Sequence, residues 1–521
     1  MKPTTQRSML VLGTLLALNL AGATGHAAER PLTLNEAIDL ALQKNEGLMS
    51  EREGLAAARV AVNGASGAYD PLLEIDGGWS RSNEPANSAS SGATADKIAP
   101  ETKSAEGGVA IHQLLPTGGA LSLRARGARD KTDGVFARLS PAYSTKAGVE
   151  LRQPLLRDRG IDAARLSVRV AKADRRQADA SLRRTLTEMV AAVEQAYWAL
   201  TAARQGEVVR EEAVRLAEEQ LGETRTRAQS GAVPETELAQ PRAELERRRS
   251  DLLASRESVA RAENTLKLLI LADTDEDLWS AQIAPADSAA AAVTPVDAAG
   301  SLQRALSARP ELVAAQAAVD HRHAETSFAR NGVWPALDAV ASYYRFGLAG
   351  SRNPAGPSDP LPVNLDGDLS RSIETLGDGD FDAARVALVL SLPIRNRAAR
   401  ADAAIARHVE RQAENDLVRA RKLIRAEVLD AASALETAGQ RIESTRAGRE
   451  AAEVQLSAER DRYSTGLSTN FLVLTRQNDL SRARLDEISA LTDYRMARAE
   501  MARATGSLID ERGINVDGTR R

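Results

Sequence analysis

"RAQSGAVPETELA" (227–239) and "RYSTGLSTNFLVL" (462–474) share one pattern, an arginine four residues before a glycine. Each stretch separates two long, highly charged segments with helical periodicity. Glycine adopts left-handed backbone conformations that a side chain resists, so Gly231 and Gly466 predict two tight turns between helices. The two glycines lie almost half the chain apart, which predicts a fold built twice.

Other landmarks recur in the same order in both halves of the chain. Pro71 aligns with Pro335, and "LRQPLLRDRG" around Pro154 corresponds to "LSLPIRNRAA" around Pro393. A preserved order at low identity indicates an old duplication. The predicted organisation is a signal peptide over 1–28, a first repeat over 29–290, a second repeat over 291–511 and a C-terminal tail over 512–521.

Each repeat is predicted to contain a short helix, a β segment and a long helical hairpin whose tip lies near residue 231 or 466. The β segments span 71–154 and 335–394, and "RVALVLSLPI" (385–394) shows the clearest alternation of large and small residues. The strand number of the first segment stays open, because "VAIHQLLPTGGALSLRAR" (109–126) could add an extra hairpin.

The long helices carry a seven-residue apolar repeat. It is formed by Leu238, Leu245, Leu252, Val259 and Leu266 in the first copy, and by Leu417, Ile424, Val428, Ala431, Leu435 and Ile442 in the second. Such a repeat makes helices coil around neighbouring helices. The helix that starts near Ala163 would be roughly 100 Å long at the usual rise per residue.

The N-terminus has the pattern of a secretory signal peptide. Lys2 and Arg7 precede an apolar run over 9–21, and small residues follow up to Ala28. A membrane anchor is the alternative, but the run is short for a span of about 20 residues. The rest of the chain has no apolar run of that length, so any membrane-spanning part is expected to consist of β-strands.

Composition excludes several classes of function. The 521 residues include no cysteine, which excludes disulfides, thiolate sites and a lipid-acylated cysteine anchor. The net charge of −4 gives no support for nucleic-acid binding. His321 and His323 point to different sides of a helix, and Asp378, Asp380 and Asp382 lack the glycine and glutamate of a calcium loop. We predict no enzyme activity, no metal site and no cofactor.

A sheet with only a few strands leaves unpaired backbone N–H and C=O groups on its two edge strands. A membrane tolerates only closed barrels, because unpaired backbone groups in hydrocarbon cost several kcal/mol each. Barrel closure by several chains, each contributing a few strands, would pair these backbone groups.

Several motifs occur in this chain in a characteristic order: "LTLNEAIDLALQKNEGL" (32–48), "ELRQPLLRDRG" (150–160), "VEQAYWALTAAR" (193–204) and the two Arg–Gly turns. By these motifs, the chain resembles the TolC family of outer-membrane efflux proteins.

The resemblance implies a mainly α fold with membrane β-strands. In it, a homotrimer forms a twelve-stranded β-barrel in the outer membrane of a Gram-negative bacterium, continuous with an α-helical barrel in the periplasm. The implied partners are outer-membrane lipids, a periplasmic adaptor protein and an inner-membrane pump of the RND or ABC type. The implied function is the passive exit duct of a tripartite efflux or type I secretion system. The cargo stays open: drug, metal ion, peptide or secreted protein.

The resemblance also assigns roles to the two turns. The adaptor would dock on tip residues Arg227, Gly231, Ala232, Val233, Arg462, Gly466, Leu467 and Ser468. The gate would involve Thr236, Glu237, Tyr463, Leu472 and Thr475. Tyr463 occupies the position of a family tyrosine that links neighbouring tips, and Thr236 and Glu237 match its partner region. The family's acidic rings fall on Leu472 and Thr475, so an acidic or an apolar gate stays open. Ordinary helix caps are the alternative interpretation of both glycines.

The main alternative function is a periplasmic coiled-coil adaptor or structural protein of the cell envelope. Adaptors also contain long helical hairpins. They usually have one hairpin inside a lipoyl-like domain and an N-terminal anchor, whereas this chain has the hairpin twice.

Overall fold

The computed structural model describes residues 29–85, 92–94, 96–290, 292–361 and 365–515. The predicted signal peptide and residues 516–521 of the predicted tail lie outside this part. The first half contains β1 (Glu29–Leu32), α1 (Leu34–Lys44), α2 (Glu46–Ser66), β2 (Leu72–Ser82), β3 (Thr102–Leu114), β4 (Ala120–Thr132), β5 (Leu139–Pro154), α3 (Ala163–Gln229), α4 (Ala239–Ile270), α5 (Glu276–Ser280) and β6 (Gln282–Pro285). The second half contains α6 (Ala298–Ala308), α7 (Pro310–Gly332), β7 (Ala336–Arg352), α8 (Leu369–Asp378), β8 (Asp382–Ser391), α9 (Arg397–Ser464), α10 (Asn470–Thr505) and α11 (Leu508–Glu511).

The two halves share an order of short helices, strands, one very long helix, a turn and a second long helix. The folded chain nevertheless divides into two compact units that each draw on both halves. The first unit comprises 29–45, 192–293 and 438–496, and the second comprises 46–191, 294–437 and 497–515. No helix in the described ranges is both long enough and apolar enough to cross a membrane.

The first unit is built on the seven-residue repeat. Leu245, Val259 and Leu266 of α4 are buried, as the repeat predicts. The fully buried Tyr197 of α3 contacts β1 and the segment after β6. Its hydroxyl lies 3.0 Å from the carbonyl oxygen of Leu32 and 2.8 Å from the Asp287 carboxylate. These contacts fix where the short parallel pair of β1 and β6 joins the long helices.

The second hairpin within this unit combines a small apolar core with ion pairs. Ala452 and Leu456 of α9 pack with Leu480 of α10. Arg449 of α9 lies 2.5 Å from the Glu487 carboxylate on α10. Apolar contacts hold the seam while the charged pairs line its more exposed side, as expected for paired helices in water.

The second unit contains an antiparallel sheet with the strand order β2-β3-β4-β5-β7-β8. The turn between β3 and β4 is closed by Leu115 N–H donating to Gly119 O at 2.8 Å, and Gly118 has a φ of +86°. The stretch 109–126 is therefore a hairpin inside the sheet. Twelve strands from three chains need four per chain, so the strand number implied by the resemblance is wrong here: the sheet has six.

The sheet has two chemically different faces. We define the apolar face by large side chains that alternate along the strands and pair across them: Leu73, Ile75, Trp79, Val109, Ile111, Leu123, Val149, Leu151, Val386, Leu388 and Leu390. Several are strongly exposed in the single chain, Val386 at 85%. The polar face carries ion pairs, including Arg126 with Asp76 at 3.1 Å and Arg152 with Asp338 at 2.5 Å.

Candidate functional site: the two hairpin turns

The first turn ends α3 with a glycine in the left-handed region. Gly231 has a φ of +76°. Ala232 N–H donates to Arg227 O at 2.9 Å, and Gly231 N–H donates to Ala228 O at 3.0 Å. A bond that spans five residues back across such a glycine is the Schellman type of helix end.

The second turn repeats this geometry at the end of α9. Gly466 has a φ of +80°, and Leu467 N–H donates to Arg462 O at 2.8 Å. The spacing read from the sequence thus has a backbone cause: the arginine carbonyl accepts the closing bond and the glycine supplies the positive φ. A Cβ added at either glycine would meet nothing within 4 Å, so the requirement for glycine is conformational and not one of space.

The chain returns differently after the two turns. In the first, Pro234 leads into a short 3-10 segment, Glu235–Leu238, and α4 begins only at Ala239. Pro241 then lies in the first helical turn, where its missing N–H removes no intrahelical bond. In the second, α10 begins at Asn470. The second helix of the hairpin therefore begins eight residues after the turn glycine in the first copy and four residues after it in the second.

A side-chain contact joins the two turns. The guanidinium carbon of Arg227 lies 4.4 Å from the ring centroid of Tyr463, and the same guanidinium donates to Glu223 at 2.8 Å. Burial raises the pKa of the Tyr463 phenol above its ordinary value, while the charge of Arg227 opposes that shift. A cation over an aromatic face typically contributes about 0.5–1 kcal/mol at exposed sites.

The remaining predicted gate residues lie around this contact. Thr236 and Glu237 are exposed on the 3-10 segment, and the Glu237 carboxylate acts electrostatically on Tyr463. Thr475 Oγ1 donates to Phe471 O at 2.8 Å within its own helix, and Leu472 is exposed at the start of α10. Within the described ranges, no hydrogen bond joins Thr475 to the first turn.

The predicted docking residues form a largely exposed surface. Leu467 is 80% exposed, Phe471 beside it is also exposed, and Ala232 occupies the position of Leu467 in the first turn. Val233 is half-buried. Ser468 differs, because its hydroxyl donates to the carboxylate of Glu459 on α9 and ties the start of α10 to that helix.

Sequence reasoning missed two residues of the second turn. Glu459 is buried against Ser468, and nothing in its charged surroundings distinguished it from solvated glutamates. Asn470, the first residue of α10, is only 7% exposed, and neither atom of its side-chain amide has a hydrogen-bond partner within the described structure. A polar residue before an apolar run predicts a helix start, but not a buried amide.

Metal ligands were not predicted, and His321 and His323 each lie beside a carboxylate. His321 Nδ1 is 2.8 Å from Asp174, and His323 Nδ1 is 2.7 Å from Glu410. Over the part of the chain that the structure describes, no group of three or more histidine and acidic side chains is arranged to hold a metal ion.

The chain thus combines a sheet that has one apolar face with two long helical hairpins that end in matching turns. The family model for outer membrane efflux proteins matches residues 37–270 and 301–507. The chain belongs to this family, and the resemblance read from the sequence is confirmed. The family places the chain in the outer membrane of a Gram-negative bacterium, with a large helical part in the periplasm.

Solved structures of outer-membrane proteins share the fold. The CmeC channel of Campylobacter jejuni is 16% identical, with 91% of this chain and 86% of that chain covered and a TM-score of 0.62. VceC of Vibrio cholerae is 15% identical, with 91% and 96% covered and a TM-score of 0.62. The open state of MtrE of Neisseria gonorrhoeae is 18% identical, with 91% and 89% covered and a TM-score of 0.61. A comparison with curated protein sequences gives no significant match.

Proposed function

We propose that this protein is the passive exit duct of a tripartite efflux or type I secretion system. The observation that carries the proposal is the pair of matching hairpin turns in a chain that also has a sheet with one apolar and one charged face. A periplasmic adaptor and an inner-membrane pump would supply opening and energy. Drugs, metal ions, peptides and secreted proteins remain candidate cargoes.

The assembly we propose is a homotrimer whose sheets close into one barrel. β2 and β8 form the two edges of the sheet, and pairing β2 of one chain with β8 of the next would satisfy both. Three chains with six strands each supply eighteen strands, within the even-numbered range of outer-membrane barrels. The polar face would line the channel and the apolar face would contact lipid.

The adaptor would dock on the exposed tips, where Leu467 and Phe471 offer apolar contacts. The contact between Arg227 and Tyr463 holds the two tips of one chain together. Opening would move the second hairpin away from the first, so this contact would break in the open state. The exposed Leu472 favours an apolar gate over an acidic one at that position.

The first experiment is mild detergent extraction of the full-length exported protein from the outer membrane, followed by native mass measurement and planar-bilayer conductance. A conducting trimer supports the duct. Val389→Pro should abolish assembly, because proline removes one backbone donor from β8 whichever side that donor faces. Val389→Ile is the matched control and should assemble normally. A soluble periplasmic monomer that tolerates Val389→Pro would refute the duct and favour the adaptor alternative.

Strand pairing between chains can be tested by disulfide trapping, since the chain has no cysteine of its own. A cysteine at Ile75 of β2 would be combined in turn with one at Val386, Leu388 or Leu390 of β8. One of these pairs should link chains covalently. Gly107 of β3, an interior strand, should give no link to β8. Links from Gly107 but not from Ile75 would exclude the six-stranded contribution.

A further inference from the structure

The apolar face of the sheet is partly covered by α8, an amphipathic helix. Thr145 of β5 contacts α8 through its hydroxyl, 3.0 Å from both the carbonyl oxygen and the Oγ of Ser372. Both residues are buried. Ile373 on the same helix is 53% exposed, and Leu369 is exposed as well. The helix therefore packs through small polar residues and leaves its larger apolar side chains uncovered.

Between α8 and the sheet lies a groove of about 590 Å³. Its floor includes Gly107, Gly127 and Thr145, which pair directly across β3, β4 and β5. Its wall is formed by Leu369, Ile373 and Leu376 of α8. A slot with an apolar wall and a glycine floor suits a flexible hydrocarbon chain, and its volume lies in the range of ligand pockets.

A row of cations crosses the same face beyond the groove. Arg81 pairs in register with Lys103, and Lys103 pairs with Lys131, so three cations lie side by side on three neighbouring strands. Arg129, two residues before Lys131, lines the groove itself. Like charges directly opposite each other destabilise a sheet, and a bound anion would reduce the repulsion within this row.

The row is only partly neutralised by the protein. Glu101 lies 2.8 Å from Arg81 and 2.9 Å from Lys103. No carboxylate in the described ranges forms an ion pair with Lys131, and Arg129 is held by the hydroxyl and ring of Tyr143 instead. The row therefore keeps a net positive charge.

Connectivity sets which end of the sheet carries the row. The helices join the sheet where β2 begins, β5 ends, β7 begins and β8 ends. Arg81, Lys103 and Lys131 lie at the opposite ends of their strands. With the helical part in the periplasm, the row lies on the outer side of the membrane.

We propose that the groove and the cation row bind a phosphorylated, multiply acylated glycolipid of the outer leaflet. Its phosphates lie against Arg81, Lys103 and Lys131, and one acyl chain occupies the groove under α8. This inference rests on the proposed function, because it requires the apolar face to contact lipid. An acyl slot directly beside a phosphate-binding row fits an anionic lipid better than a free phosphate or a protein segment.

The test uses the full-length protein in non-ionic detergent with diphosphoryl lipid A as the probe, and measures the bound fraction by native mass spectrometry. Arg81→Gln/Lys103→Gln/Lys131→Gln should lower binding by about tenfold or more, since it removes three cations that attract the anionic head group. Arg124→Gln/Arg385→Gln, which removes cations from the polar face outside the groove, is the control and should bind normally.

Gly127→Leu tests the groove separately. Its Cβ has room, with Leu369 Cδ1 at 3.8 Å, but the longer side chain fills the slot. Binding of lipid A should fall, and the deacylated disaccharide bisphosphate should not compete with lipid A for the native protein. Equal lipid A binding by the native protein and the triple variant, or an equal loss in the polar-face control, would overturn the proposal.

Conductance of the same samples tests the proposed duct separately from the proposed lipid site. Channels that conduct but retain no lipid A would refute the lipid site alone. A protein that forms no channel would refute the duct, and with it the assignment of the apolar face to lipid.

Discussion

The two hairpin turns end their first helices alike and begin their second helices differently. Both use a glycine at positive φ and an arginine carbonyl that accepts the closing bond. Between Gly231 and α4 the chain passes through Pro234 and a 3-10 segment, whereas α10 begins four residues after Gly466. In both turns a single glycine ends the first helix. The start of the next helix differs because the first turn is followed by Pro234 and Pro241, which have no backbone N–H.

The strongest test transfers the proline of the first turn to the second. Arg476 is ten residues after Gly466, as Pro241 is after Gly231. Arg476 lies inside α10, so Arg476→Pro removes an intrahelical bond and should cost about 3 kcal/mol locally. Hydrogen exchange of peptides covering 470–490 should show the loss of protection. Arg476→Ala, which also loses the pair with Asp479, is the control; equal protection in both variants would mean that α10 starts later than described.

Substitutions of the two turn glycines should have the next largest effect. Gly231→Val and Gly466→Val should each destabilise their turn by about 1–2 kcal/mol, because a β-branched residue resists positive φ although space is open. Hydrogen exchange at the two tips measures this. Gly222→Ala in α3 and Gly448→Ala in α9 are helical controls with open space, and they should be neutral or stabilising. If valine at either position left hydrogen exchange at that turn unchanged, the turn would not require a glycine at positive φ.

A smaller effect should distinguish the two arginines. Arg227→Ala should loosen both tips by about 0.5–1 kcal/mol, since its guanidinium covers the Tyr463 ring. Arg462→Ala should have less effect on hydrogen exchange at the tips, because the contribution of Arg462 to the turn is its backbone carbonyl. Tyr463→Phe keeps the ring beneath the guanidinium, so at neutral pH it should loosen the tips less than Arg227→Ala. Equal effects of the two alanine variants would show that the contact contributes nothing.

The smallest expected effect depends on pH. The pKa of Tyr463 in the folded tip is above its ordinary value of 10.0, so this group favours the folded tip below pH 10. That contribution is lost as the pH rises from 10 through the folded pKa, because the unfolded phenol ionises first. Exchange at the tips should increase over this window in the native protein more than in Tyr463→Phe. Parallel profiles for both would assign the change to other groups.

The sequence predicts this fold where the signal is local and periodic. The burial of Leu245, Val259 and Leu266 in α4 follows from a seven-residue repeat, and both turns follow from an arginine–glycine spacing. The sequence alone left the strand number open, because 109–126 reads equally as one irregular strand or as a hairpin. The contact of Arg227 with Tyr463 joins residues from the two halves of the chain, and the buried amide of Asn470 depends on packing around α10. Neither leaves a local pattern.

The hairpin of β3 and β4 has a consequence for how such channels vary in width. Its turn lies at the helix end of the sheet, and both of its connections to neighbouring strands lie at the far end. Adding or removing it leaves β2 and β5 pointing as before, so the direction in which the chain re-enters the helices is unchanged. A chain can therefore gain or lose two strands without rerouting any helix, and the proposed trimeric barrel would then change by six strands.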